Sequence, residues 1–365
     1  MEQNELNPSA VQRRLYWPQL DGLRFLAAML VILHHAPLPP GIPKILGAIG
    51  WMGVDLFLVL SAYLLARMLR EEVETTNEIR LSKYFARRVL RIWPLFWGIV
   101  TAALCLTIYT GEVNGQMLGL WLSHITFFNN FLGFDAYLPY TGHLWTISLE
   151  EQFYLAIPFV LPILMRQSTR RIVVLLISAL SFLILTRVAC VLMGLSQASI
   201  WMTPLRGDAF ILGIGFALGA FDRLYHSVSG NSLFVSGFLL LFGAHLLGSP
   251  GLMTWKTVLL YTVTDTACLL MLMGCMKGTL VNSIFCTRPV RYLGRISFGL
   301  YVFHFVSIGI ATKLVKKWDL QESGWLQFAL ILVFTLVLSV MSYELYEKWF
   351  LRFKHHFEVV PNRPH

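Results

Sequence analysis

Charge is scarce in this chain: Asp, Glu, Lys and Arg make up 13% of its residues, against 56% apolar ones. Mean hydropathy is +0.63, and several runs reach the ~18–20 apolar residues that cross a bilayer. Cysteine is also sparse. The five cysteines, Cys105, Cys190, Cys268, Cys275 and Cys286, form no C-x-x-C pair and sit in apolar runs or a predicted cytosolic loop. Disulfides and metal clusters are therefore not expected, and no metal is assigned. No internal repeat is evident, which removes the usual pointer to an inverted-repeat transporter. No small-residue cleavage site stands by the first apolar run, so it reads as a retained helix rather than a signal peptide.

What is present is a series of spans. Ten fit best, at 20–38, 52–69, 92–109, 147–165, 172–192, 205–221, 232–248, 256–276, 296–311 and 325–342. The expected fold is thus an all-α polytopic membrane protein of about 10 transmembrane helices, with both termini cytoplasmic. It divides into an N-terminal tail (1–19), a membrane domain (20–350) and a C-terminal tail (351–365), all of one piece. The excess of 29 Lys and Arg over 20 Asp and Glu does not point to nucleic acid, because 22 of the 29 fall in segments placed inside and five outside. That asymmetry sets the orientation. The stretch 110–146, with its WLSHITFFNNFLGF run, is too apolar for an open loop and reads as re-entrant or interfacial.

Polar residues inside these spans are costly and tend to face a protein interior or an aqueous cavity. In the first span, Arg24 and His35 are separated by ten residues. Eleven helical steps return to within roughly 20° of the start, so the two share a face about 16 Å apart, while His34 points elsewhere. The second span opens GVDLFLVLSAYLL, placing Asp55 near its outer end, where it would orient His35 or simply favour the helix N-terminus. Arg87, Arg88 and Arg91 lie at the inner mouth of the third span, with 87 and 91 on one face. Guanidinium groups there suit phosphate capture as well as plain orientation, and Arg288, Arg291 and Arg295 form a second inner stripe. The block GHLWTISLEEQFY holds His143, Trp145, Glu150 and Tyr154, with Glu150 favoured over Glu151 as the inward carboxylate. Arg206 and Asp208 stand at the predicted outer end of the sixth span, Arg187 lies inside the fifth, and each arginine needs a counter-charge. Ser297, Tyr301 and His304 make one polar stripe on the ninth, with His304 read as an interhelical hydrogen-bonder.

The ordered set LDGLRFLAAMLVILHH, GVDLFLVLSAYLL, RRVLRIWPLF, HLWTISLEEQFYL, LRGDAFILGIGFALG, YLGRISFGLYVFHF and SYELYEKWF resembles the bacterial membrane acyltransferase family (acyltransferase 3). The match runs from about residue 20 to 350. The family's Arg-x10-His motif falls on Arg24 and His35, its basic motif on Arg87, Arg88 and Arg91, and its glutamate on Glu150. Thr146, Ala62, Phe96 and Phe298 depart from the common Ser, Gly, Tyr and Tyr, none at an ionisable group. Some members carry an appended periplasmic domain; none is expected here.

The resemblance implies a multi-pass protein of the bacterial inner membrane that moves an acyl group, usually acetyl, from cytosolic acyl-CoA to a hydroxyl of a surface or lipid-linked glycan. Acetyl-CoA, or another acyl-CoA, would be the donor. The inner arginines and Arg24 would hold this polyanion, and His35 would act as base or carry the acyl group. Asp55 or Glu150 would orient it, and Tyr154, Ser61 and Trp145 are positioned as oxyanion donors. Lipid and peptide acceptors, a proton-coupled transporter and a non-catalytic scaffold are the rival readings. Nothing in the sequence supports a homo-oligomer.

Overall fold

The computed structural model describes residues 16–111, 115–132, 137–195, 202–248, 254–320 and 324–359. Every regular element among them is helical. The first part of the chain comprises α1 (Pro18–His35), α2 (Lys44–Ile49), α3 (Met52–Thr76), α4 (Leu81–Thr110) and α5 (Met117–Ile125). After tight turns at Asn129–Phe131 and Gly142–Leu144 come α6 (Trp145–Met165), α7 (Thr169–Leu192), α8 (Asp208–Ala217), α9 (Asp222–Ser227) and α10 (Gly230–His245). The last part holds α11 (Leu260–Lys277), α12 (Asn282–Phe285), α13 (Arg288–Arg295), α14 (Ser297–Lys317) and α15 (Gly324–Ser342). A π-helical turn, Tyr343–Glu347, leads into α16 (Lys348–Lys354).

Among the described residues, six helical runs are long and apolar enough to cross a bilayer: Met52–Thr76, Leu81–Thr110, Gly142–Met165, Thr169–Leu192, Ser297–Lys317 and Gly324–Phe357. Helices α8 and α10 are apolar but shorter. The outer helices turn apolar side chains such as Ile177, Phe182 and Leu185 of α7 outward, as a lipid solvent permits.

α1 lies at the centre, packed against α2, α3, α11, α12, α13 and α14. Small residues let it be approached closely. At Gly53 of α3 a Cβ would stand 2.3 Å from the Ala27 carbonyl, and at Gly294 of α13 one would stand 1.9 Å from that of Asp21. α1 stops at His35 rather than continuing to residue 38 because Pro37 forces Ala36 into extended backbone, φ −76° and ψ 142°.

Several helices outrun their apolar cores. α3 continues through Arg70, Glu71 and Glu72 to a left-handed Asn77 cap, and α4 takes in the basic stretch 81–91 as its first turns. Within 110–146, α5 and the turn at Asn129–Phe131 pack on α4 and α6. The segment assigned to a C-terminal tail is helical to Phe357 and packs on α4.

Candidate active site

A cavity of about 650 Å³ opens between α1, α3, α4, α6, α14 and the C-terminal run. Seven basic side chains line it (Arg24, Arg88, Arg91, Arg295, Lys348, Arg352 and Lys354) against four acidic ones, Asp21, Glu150, Glu347 and Glu358. Most of the basic ones come from the start of α4, the end of α13 and the end of the last helical run, which the fold brings to one side. The net positive lining suits an anionic ligand.

Arg24 is held in place: its Nη1 donates to Asp21 Oδ1 at 3.3 Å, and the Tyr16 hydroxyl donates to Asp21 Oδ2 at 2.9 Å. Of the three arginines at the start of α4, Arg88 and Arg91 line the cavity. Arg88 also sits 5.5 Å from the Tyr154 ring centroid. Arg87 does not reach the cavity. It is buried, with Nη2 3.0 Å from Glu72 Oε2 and Nη1 donating to the Phe357 carbonyl at 2.7 Å. The face that matters is therefore the one shared by 88 and 91, three residues apart, and Arg87 braces the C-terminal run.

Further in, Ser61, Glu150 and Tyr154 share the lining. Glu151 turns away and accepts from Trp93 Nε1 at 3.1 Å, as adjacent residues on a helix must diverge. Thr146, Ser297 and Tyr301 also line the cavity. The Tyr301 hydroxyl donates to the His143 carbonyl and lies 2.6 Å from the Thr146 hydroxyl.

Directly behind that layer stand three histidines. His143 Nε2 donates to the Val302 carbonyl at 3.2 Å. The His143 and His304 ring centroids are 4.6 Å apart, and those of His304 and His35 5.1 Å. His35 itself is outside the cavity lining that includes Arg24, and is reached through Tyr301 and His304. His34 faces α2, donating from Nδ1 to the Gly47 carbonyl at 2.8 Å.

Asp55, Arg206 and Trp145 lie apart from the cavity. Arg206 Nη2 is 2.6 Å from Asp55 Oδ1, and its guanidinium stands 3.9 Å from the Tyr261 ring centroid and 5.7 Å from that of Trp145. Asp55 is thus engaged by a guanidinium, and the geometry does not place it as the orienter of His35. Arg187 pairs with Asp208 and is capped by the Leu205 carbonyl.

Among the lining residues that reasoning from sequence left out are Tyr16, Asp21, Lys348, Arg352 and Lys354. One signal existed: Lys348 and Arg352 continue a helical i, i+4 stripe beyond the last span.

The acyltransferase-domain family model matches residues 17–344, most of the chain. The chain belongs to the acyltransferase-3 family. This acyltransferase-3 chain is 23% identical over 364 residues to the putative peptidoglycan O-acetyltransferase YrhL of Bacillus subtilis, covering 92% of the chain and 55% of that protein. It is 26% identical over 308 residues to the O-acetyltransferase OatA of Staphylococcus aureus, covering 80% and 50%. With the peptidoglycan O-acetyltransferase OatA of Listeria monocytogenes it shares 25% over 343 residues, covering 83% and 51%. The chain spans about half the length of the curated relatives it matches. No solved structure matches it.

Proposed function

We propose that this chain is a multi-pass O-acyltransferase of the bacterial cytoplasmic membrane that moves an acetyl group from acetyl-CoA to a hydroxyl of peptidoglycan or a related envelope glycan. The observation that carries the reading is the line from the basic cavity mouth, past Glu150, to the layer of Thr146 and Tyr301 backed by His35, His143 and His304. Relatives named for peptidoglycan O-acetylation support the acceptor class. Ten spans with both ends cytoplasmic agree with a helix in each of the ten apolar runs and with 22 of 29 basic residues falling in the segments then placed inside.

The residues divide the work by position. Arg88, Arg91, Arg295, Lys348 and Arg352 bind the donor's phosphates, and Arg24, one step deeper, receives its acyl-bearing arm. A hydroxyl is a weak nucleophile near neutral pH, so a base must take its proton as it attacks, and His35 is that base. The acceptor oxygen bonds to the acyl carbon, the carbon–sulfur bond breaks, and the proton on His35 leaves with the thiolate as a thiol. Tyr154 and Ser61, with Glu150, provide polar contacts along the path.

The test is mass spectrometry of cell-surface glycans from a strain lacking the gene, complemented with wild type, His35→Ala or His34→Ala at matched membrane expression. Loss of the acetyl mass with His35→Ala alone is the expected result. Full acetylation with His35→Ala removes the catalytic role, and an unchanged glycan in the deletion strain moves the acceptor to lipids or peptides.

A further inference from the structure

A neutral imidazole has one N–H and one bare nitrogen, and only the bare nitrogen can take a proton. The contacts around His35 decide which is which. His304, fully buried on α14, meets the Tyr301 carbonyl through Nδ1 at 2.5 Å. A carbonyl oxygen only accepts, so His304 Nδ1 carries the hydrogen and its Nε2 is bare. That bare Nε2 lies 3.3 Å from His35 Nδ1. The Val31 carbonyl, one turn back on α1, lies 3.0 Å from the same nitrogen. Two acceptors converge on His35 Nδ1, and neither has a hydrogen to give. Nδ1 of His35 therefore holds the hydrogen, and Nε2 is left bare.

The two acceptors are not equivalent. Val31 belongs to the same helix as His35 and tracks its backbone, whereas His304 reaches over from α14 and fixes the ring against rotation. His143 packs its ring edge-to-face on His304, centroids 4.6 Å apart, and Phe305 packs on the rings of His35, His143 and His304. No carboxylate hydrogen-bonds His35 among the described residues.

We propose that His304 is a positioning residue: its Nε2 holds His35 as the Nδ1–H tautomer, which makes Nε2 of His35 the atom that accepts the hydroxyl proton. This role rests on the catalytic reading of His35. In the transfer step the acceptor's O–H proton moves to His35 Nε2 as the carbon–oxygen bond forms and the carbon–sulfur bond breaks. The imidazolium keeps its Nδ1–H between Val31 and His304 until the Nε2 proton leaves on the thiol. A neutral imidazole here occupies the position that a buried carboxylate takes in a Ser-His-Asp triad.

The test uses the full chain in lipid nanodiscs with 15N-labelled histidine side chains. Long-range proton–nitrogen spectra, with His35 assigned by difference against His35→Gln, are expected to show the Nδ1–H form in wild type and a mixture in His304→Ala. With acetyl-CoA as donor and purified peptidoglycan fragments as acceptor, His304→Ala is expected to lose on the order of 100-fold in kcat, the lower end of what a positioned base contributes, with KM for acetyl-CoA unchanged within about twofold. His304→Gln, whose amide oxygen accepts from His35 Nδ1, is expected to recover about tenfold of that loss. A wild-type spectrum with His35 as Nε2–H overturns the proposal whatever the turnover. So does a His304→Ala variant with normal kcat beside an inactive His35→Ala, an outcome that leaves the catalytic reading standing. Transfer retained by His35→Ala overturns that reading instead, and the role of His304 with it.

Discussion

Arg206 Nη2 stands 2.6 Å from Asp55 Oδ1, a buried ion pair closed between residues 151 positions apart. It ties the first turn of α3 to the segment leading into α8. Both side chains are almost wholly buried, and the Tyr261 ring centroid lies 3.9 Å from the guanidinium. Such a pair is worth little against apolar packing, but breaking it strands a charge.

Asp55→Ala is accordingly expected to cost about 3–5 kcal/mol of stability, seen as a lower unfolding temperature in detergent or nanodiscs. Replacing both partners, Asp55→Leu with Arg206→Met, is expected to recover most of it. An Asp55→Ala protein with normal unfolding and no transfer activity would instead place the carboxylate in the chemistry.

Neighbouring arginines are expected to separate cleanly. Arg88→Ala removes a cavity cation and should raise the KM for acetyl-CoA about tenfold or more, the size of a lost charge-assisted contact. Arg87→Ala leaves Glu72 buried without its counter-charge and frees Phe357, so its signature is a drop in unfolding temperature. Steady-state kinetics and thermal unfolding of both variants check this, and equal KM effects would reject it.

Helix contact through glycine gives another expectation. A methyl at Gly294 would lie 1.9 Å from the Asp21 carbonyl. Gly294→Ala should push α13 off α1 at a cost of about 1–3 kcal/mol and disturb the Asp21–Arg24 pair. Thermal unfolding reports the first effect and donor KM the second. Unchanged stability would mean the two helices can part freely.

Sidedness can be read from cysteines. Cys286 is exposed, whereas Cys268 and Cys275 are buried. With Cys105 and Cys190 replaced by serine, a membrane-impermeant maleimide should label Cys286 in inside-out vesicles and not in intact cells. Labelling from outside would reverse the orientation drawn from the basic residues.

Much of this architecture is legible in the sequence because lipid leaves helices no alternative, and apolar runs mark where they lie. Each of the ten runs holds a helix, and His34 and His35 diverge as helical geometry requires. A helical wheel gives an angle on one helix but not the neighbour at that angle. It could not tell that Asp55 meets Arg206, or that Arg87 is claimed by Glu72 while Arg88 faces the cavity. The C-terminal segment was hidden for a related reason: its basic, polar composition matches a solvated tail as well as it matches the wall of a charged cavity.

The π-helical turn Tyr343–Glu347 sets the phase of the terminal helix α16. One surplus residue in a helical turn advances the next segment by about 100°. With that advance, Lys348, Leu351 and Arg352 face the cavity, while Trp349 and Phe353 are 56% and 45% exposed. Deleting the outward Leu345 would restore an ordinary turn and swing the aromatic side inward. The port would then be plugged by indole and benzyl rings where an anion should dock, and the fault would register as lost donor binding. A single residue whose side chain points away from the cavity would thus determine which side of the terminal helix faces it.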